Sequence, residues 1–360
     1  MFLGFGEVMM RVAPEHKLRL RQVLPGRVEI TWGGGEANVC ASLAMLGNQT
    51  RYVSALPDNA LAESLKTSLR GLGVDTSKIL TRHGRLGVYY VECGANQRGS
   101  TVLYDRAYSS VSLAESSEYD YASILDGIHW LHISGITPAV SKQAYESNLE
   151  LVKQAKAAGV EISCDLNFRK KLWKWHPELE GRTLARQCMA EVLPYVDLVI
   201  GNEEDAADVL DIHPADTDVN AGHLNVGAYK DVAQQIVAKY SNVKRVAITL
   251  RESISADHNN WGAMLYQADG EAVFSPLNSA GEYESFKIGH IVDRVGGGDS
   301  FAAGLLHALH DTKYDSAQAV LDFAVAASCL KHSIKGDFNY VTVEEVEALA
   351  EGNASGRVQR

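Results

Sequence analysis

Cysteine is scarce in this 360-residue chain and follows no pattern. Cys40, Cys93, Cys164, Cys188 and Cys329 are scattered, odd in number and never spaced C-x-x-C, so neither a disulfide framework nor a zinc site is indicated. They read as buried thiols in a reducing compartment. No run of about eighteen apolar residues occurs, and the start, Met1 to Val8, lacks a basic segment leading into an apolar one. A membrane span and an export signal are therefore not expected, and the predicted location is cytoplasmic. No block of Lys or Arg stands out in a chain of formal net charge −11, which argues against a nucleic-acid or membrane surface. Several catalytic signatures are missing as well. Without G-x-x-x-x-G-K-[ST] there is no Walker-type phosphate loop, and neither Gly4-x-Gly6 nor Gly33-x-Gly35 completes the dinucleotide fingerprint. The lack of H-E-x-x-H, G-x-S-x-G and EF-hand spacing removes metalloproteases, serine hydrolases and calcium sensors.

What the chain does have is apolar residues, 46% of the total, enough for one large α/β domain or two smaller ones. No internal repeat or low-complexity linker divides it, which favours a single domain over 1–360 with an insertion. Strands are expected over 2–12, 50–56, 129–133, 160–165, 196–200 and 244–250. Helices are expected over 39–46, from Asp58 to Gly71 or Gly73, and over 141–158, 183–193, 203–210, 226–240, 299–311, 316–331 and 342–350. Such alternation predicts an α/β fold with an open, mostly parallel sheet and helices on both faces. Two regions interrupt it. Residues 13–32 and 87–106 are β-rich with a polar turn at Gly94–Gly99, and are expected to form a small accessory sheet. Trp261–Tyr266 and Ala272–Ser275 suggest a further hairpin.

Two glycine-rich turns each open a helix, Gly33–Asn38 near the start and Gly296–Asp299 near the end. At a helix N-terminus unpaired N–H groups converge and the dipole favours negative charge, so Gly296, Gly297 and Gly298 describe a cradle for a phosphoryl group, with Asp299 beside it. A plain glycine turn before an Asp-capped helix fits the same residues. Ligands of open parallel sheets bind at the carboxyl ends of the strands, so the two turns could face one crevice.

Gly33-Gly-x-x-Ala37-Asn38 and Val295-Gly-Gly-Gly-Asp-Ser-Phe-x-x-Gly304 resemble the paired signatures of the ribokinase-like sugar kinases, the PfkB family. The resemblance spans nearly the whole chain, the accessory sheet matching the family's β lid. Leu131–Pro138, Asp165–Trp173 and Gly336–Asn339 further resemble the subgroup acting on 2-keto-3-deoxygluconate. This likeness implies ATP and Mg2+ as cofactors and transfer of phosphate to the terminal (C6) hydroxyl of that sugar acid. It makes Asp299 the catalytic base and Gly296, Gly297 and Gly298 the cradle, with Gly297 where the commoner family form has Ala. Gly34, Asn38, Tyr89, Tyr104, Arg106 and Arg169 fall at substrate-facing positions. A guanidinium fork suits a carboxylate or phosphate, although either arginine could be a surface residue and either tyrosine could simply pack the lid. Asn167, Asn202, Thr249, Arg251 and Gly298 match nucleotide contacts, and the loop Arg251–Trp261 is longer and more polar than the family's tight glycine turn. Asn202 and Asp205 match the family's magnesium positions, held mostly through water. Asp205 is one methylene shorter than the usual Glu, leaving Glu203 or Glu204 as substitutes, or all three as acidic residues of a helix's first turn. Open lid edges imply a homodimer or larger assembly through the lid. Kinases of fructose, tagatose or another deoxyketogluconate-like sugar, and a catalytically silent sugar-binding relative, are the rival readings.

Overall fold

Every residue of the first strand, β1 (Phe2–Phe5), is buried, as a strand covered on both faces requires. The computed structural model describes residues 1–214 and 226–353, without the side chains of Glu203 and Val226. Among these residues the next strands are β2 (Met9–Ala13), β3 (Glu29–Gly33), β4 (Thr50–Val53), β5 (Ala55–Leu56), β6 (Val74–Asp75), β7 (Leu80–Thr81), β8 (Val88–Glu92) and β9 (Thr101–Asp105). Then follow β10 (Trp130–Ser134), β11 (Glu161–Asp165), β12 (Leu198–Gly201), β13 (Arg245–Ser253), β14 (Asn259–Gln267), β15 (Ala272–Ser275) and β16 (Phe286–Ile288).

The large sheet has ten strands in the order β15-β14-β13-β12-β11-β10-β1-β4-β6, with β16 also on β14. From β6 to β13 all neighbours are parallel, and β14, β15 and β16 add an antiparallel edge. Strand order reverses between β1 and β10, a switch point at which the loops part and leave a crevice. Alternate side chains feed two cores. Leu198 and Ile200 of β12 face the helices Gly35–Met45, Gly297–His310 and Ala317–Lys331, while Val199 packs on the opposite side with Val152 and Met189.

A second sheet, β3-β2-β8-β9, stands over the crevice. The strand expected over 2–12 is thus two strands in two sheets. Residues 2–9 are continuously buried, so the pattern carries no sign that the chain leaves the large sheet after Gly6, whose N–H bonds Val53 O, and joins the small one at Met9, which pairs with Gly33. The expected loop Arg251–Trp261 is mostly hairpin, because β13 and β14 pair through Arg251↔Trp261 to Ser253↔Asn259. Helix Ala60–Gly71 is capped by Asn59, whose Oδ1 accepts from Leu61 N and Ala62 N, and not by Asp58.

Candidate active site

Helix Gly297–His310 begins two residues before Asp299. Gly296 is its cap, with φ +84°, a left-handed conformation that glycine adopts freely, and a Cβ there would lie 2.2 Å from Asp337 O. Asp299 therefore sits in the first turn and not at the cap. Its carboxylate points across the crevice, where Oδ2 accepts from Asn38 Nδ2 at 2.7 Å, joining turns 261 residues apart. The Asn38 amide is locked, since its Oδ1 also accepts from Gly34 N at 3.2 Å. Gly33, which ends β3, approaches closely too: a Cβ would lie 2.1 Å from Asp337 Oδ2.

The two turns open onto one cavity of about 620 Å³. Gly34, Asn38, Tyr89, Tyr104, Arg106 and Arg169 line it, as do Asn167, Asn202, Asp205, Thr249, Arg251 and the run Gly296–Asp299. The site residues singled out from the sequence, Glu203 excepted, are thereby brought together. Tyr89 and Tyr104 pair across β8 and β9, and Arg106 lies 5.5 Å from the Tyr104 ring centroid, so the hairpin presents one aromatic and cationic face. Arg106 is partly spoken for, because its Nε donates to buried Glu7 Oε2 at 2.7 Å. Arg169 is exposed on the rim, forms no ion pair with a described residue, and its charge is felt by Asp165, Asp205 and Asp299.

At the opposite end the carboxylates are crowded. Burial, then repulsion from Asp205 and Asp299, pushes the Asp165 carboxyl well above its ordinary range. Burial also raises Asp205, although Phe168 N at 2.9 Å and Asn202 N at 3.2 Å donate to its carboxylate. Asp205 N returns a bond to Asn202 Oδ1 at 2.8 Å, so Asn202 and Asp205 form a reciprocal cap on the short helix Glu203–Asp205. Glu204 reaches the cavity, and the Glu203 side chain lies outside the described residues. For Asp299, burial raises the carboxyl to about 6; Asn38 and Arg169 oppose the rise, Asp337 and Glu36 add to it. A carboxyl poised there, in the first turn of the helix, can accept a proton from an attacking hydroxyl near neutral pH.

Sequence reasoning missed the charges underneath. Arg11 Nη2 and Nη1 bind Asp293 at 2.5 Å and Asp337 at 2.8 Å, and Tyr89 OH donates to Asp337 Oδ1 at 2.6 Å. Burial opposes the Arg11 charge, but Asp293 and Asp337 outweigh it and hold the pKa above its usual value. Glu7 Oε1 is buried against the cavity without a hydrogen-bond partner. The available signal was slight: Glu7 and Arg11 are charged residues within an otherwise apolar opening segment.

The model of pfkB family carbohydrate kinases matches residues 3–250. This chain belongs to that family. It is a sugar kinase, and the likeness to other PfkB proteins extends beyond the matched stretch. A 2-dehydro-3-deoxygluconokinase of known structure from Thermotoga maritima is 41% identical, with a TM-score of 0.87 and coverage of 98% of this chain and 99% of that one. A PfkB family carbohydrate kinase from Listeria grayi is 32% identical with a TM-score of 0.84, covering 97% and 99%. The 2-dehydro-3-deoxygalactonokinase of Haloferax volcanii is 28% identical over 98% of this chain and 97% of its own length.

Proposed function

We propose that this cytoplasmic kinase transfers the γ-phosphoryl group of ATP to the C6 hydroxyl of 2-keto-3-deoxygluconate, giving 2-keto-3-deoxy-6-phosphogluconate. The observation that carries this reading is the 2.7 Å contact between Asn38 and Asp299, which sets a sugar-facing amide beside a base at the mouth of the glycine turn. The sugar acid occupies the side under the small sheet, its carboxylate held by Arg169 and by Arg106, and its hydroxyls by Asn38, Gly34, Tyr89 and Tyr104. ATP occupies the side bounded by Asn167, Asn202, Thr249 and Arg251, with its terminal phosphate toward Gly296–Gly298. As the C6 oxygen forms its bond to phosphorus, the bond from phosphorus to the β–γ bridging oxygen breaks, ADP leaves, and the hydroxyl proton passes to Asp299. Backbone N–H groups of the turn meet the charge that develops on the phosphoryl oxygens.

The crowded carboxyls of Asp165 and Asp205, both raised, suit a cation brought in with the nucleotide. Among the described residues no group of three or more His, Cys, Asp or Glu could hold a metal by itself, so Asn202 and Asp205 would act through water on an ion held mainly by phosphate. Magnesium, when bound, offsets charge on the β- and γ-phosphates.

The small sheet acts as a lid that excludes water, sparing ATP from hydrolysis. A second copy of the chain covers its outer face, where Ile30, Val12, Tyr90 and Leu103 stand in register across four strands. Among the described residues no helix is long and apolar enough to cross a membrane, and all five cysteines are free thiols.

The relatives named for the gluconate and galactonate epimers make the C4 configuration the point to test. An ATP-coupled assay of both 2-keto-3-deoxy acids, 5-keto-2-deoxygluconate, fructose and tagatose is expected to give the highest kcat/KM with 2-keto-3-deoxygluconate. Turnover of uncharged ketoses alone would reject the proposal.

A further inference from the structure

Lys331 closes helix Ala317–Lys331 with its side chain fully buried, a rare place for a lysine. Its Nζ donates to Ile334 O at 2.9 Å and forms no ion pair with a described residue. The side chain passes directly behind the glycine turn, for a Cβ on Gly296 would lie 3.3 Å from Lys331 Cε. Around it sits the buried cluster in which Asp293 and Asp337 share the single guanidinium of Arg11. Gly336 N and Val295 N also converge on Asp293, at 3.1 Å each, so the cluster ties the 293–296 turn to the segment carrying Asp337. Two carboxylates and one guanidinium leave one surplus negative charge, before Asp299 is counted. A phosphoryl group arriving at the turn would meet that charge through a few ångströms of low-dielectric protein. One more cation brings the balance to zero.

We infer that Lys331 is a built-in cation behind the glycine turn, a positioning residue that cancels the surplus charge of the Asp293–Asp337 cluster and so lets phosphoryl charge settle on the Gly296–Gly298 N–H groups. It acts by field and not by contact, since it meets none of the three carboxylates in an ion pair. Burial, the largest influence, holds the Lys331 ammonium below the ordinary lysine range and Arg11 adds to the fall, while the fields of Asp293, Asp337 and Asp299 oppose it. A purely mechanical part, a strut holding the Ile334 carbonyl, would need length and a donor but no charge.

The test rests on the kinase reading but not on the identity of the sugar. Rates are taken as ratios to wild type on whichever sugar the wild-type enzyme turns over, so an error in the substrate shows itself in the wild type alone. Lys331→Met, which keeps the length and removes both the charge and the donor to Ile334 O, is expected to lower kcat at least tenfold while the sugar KM stays within threefold, and the rescue below separates charge from donor. A loss smaller than tenfold, or one carried by the sugar KM, overturns the inference. Lys331→Ala serves also if the Met variant does not fold. Added n-propylammonium, which replaces the atoms removed, is expected to raise its kcat at least fivefold, and 1-propanol, alike in shape but neutral, is not. Restoration by both compounds, or by neither, overturns it.

Discussion

In the proposed reaction Asp299 is available as a base because it stands inside the first helical turn, where its carboxylate is spent on no cap and faces the cavity. Replacing it by Asn keeps the shape and removes the proton acceptor, so kcat is expected to fall by about 10²–10⁴-fold while calorimetry still detects sugar binding. A variant with near wild-type turnover would place the base elsewhere. The carboxyl at about 6 also dictates a pH limb. Only the ionised form accepts a proton, so kcat/KM should be level above that value and fall tenfold per unit below it, whereas a limb near pH 4 would mean that burial does not govern the group. Identity and spacing made Asp299 legible, because the glycines precede it in the chain. Asp337, which receives Arg11 and Tyr89, was quoted only as part of a likeness, since its partners lie 326 and 248 positions away.

Elements show where local rules held and where they did not. Ser141, Ser316 and Thr342 cap their helices as helix-starting residues do, and those boundaries fall within a residue of expectation. The Gly296–Gly298 turn is less uniform than its three like residues suggest. Gly297→Ala places a Cβ 3.3 Å from His332 Cε1, which the ring can yield by a few tenths of an ångström, and alanine loses less conformational freedom. Thermal unfolding is expected to show a gain of about 0.5–1 kcal/mol with activity kept. Gly296→Ala must instead adopt a left-handed conformation with its Cβ 2.2 Å from Asp337 O, and should lose both stability and turnover. Equal behaviour of the two variants would refute this division. The β13–β14 hairpin shows how tertiary contact extends an element past its local signal. Its tip, polar in sequence, meets the tip of the small sheet, where Ala256 N donates to Asn96 O at 2.7 Å and Asn96 N to Asp257 Oδ2 at 2.9 Å.

At the scale of the whole molecule, the small sheet carries two large apolar side chains exposed on its edge strands, Ile30 at 56% and Leu103 at 61%, in register with Val12 and Tyr90 between them. Leu103→Asp combined with Ile30→Asp is expected to shift sedimentation from dimer to monomer at micromolar concentration, and a wild-type chain that already sediments as a monomer would remove the second copy from the proposal. Alternation of strand and helix, the two glycine turns and the family were all set by the order of residues, because each depends on neighbours a few positions apart. What tertiary structure alone decided was the crossing of the chain from β1 into the small sheet, the burial of Arg11, Asp293, Asp337 and Lys331 behind the turn, and the meeting of Asn38 with Asp299. Those depend on which distant segments share a low-dielectric interior, and no local periodicity records that.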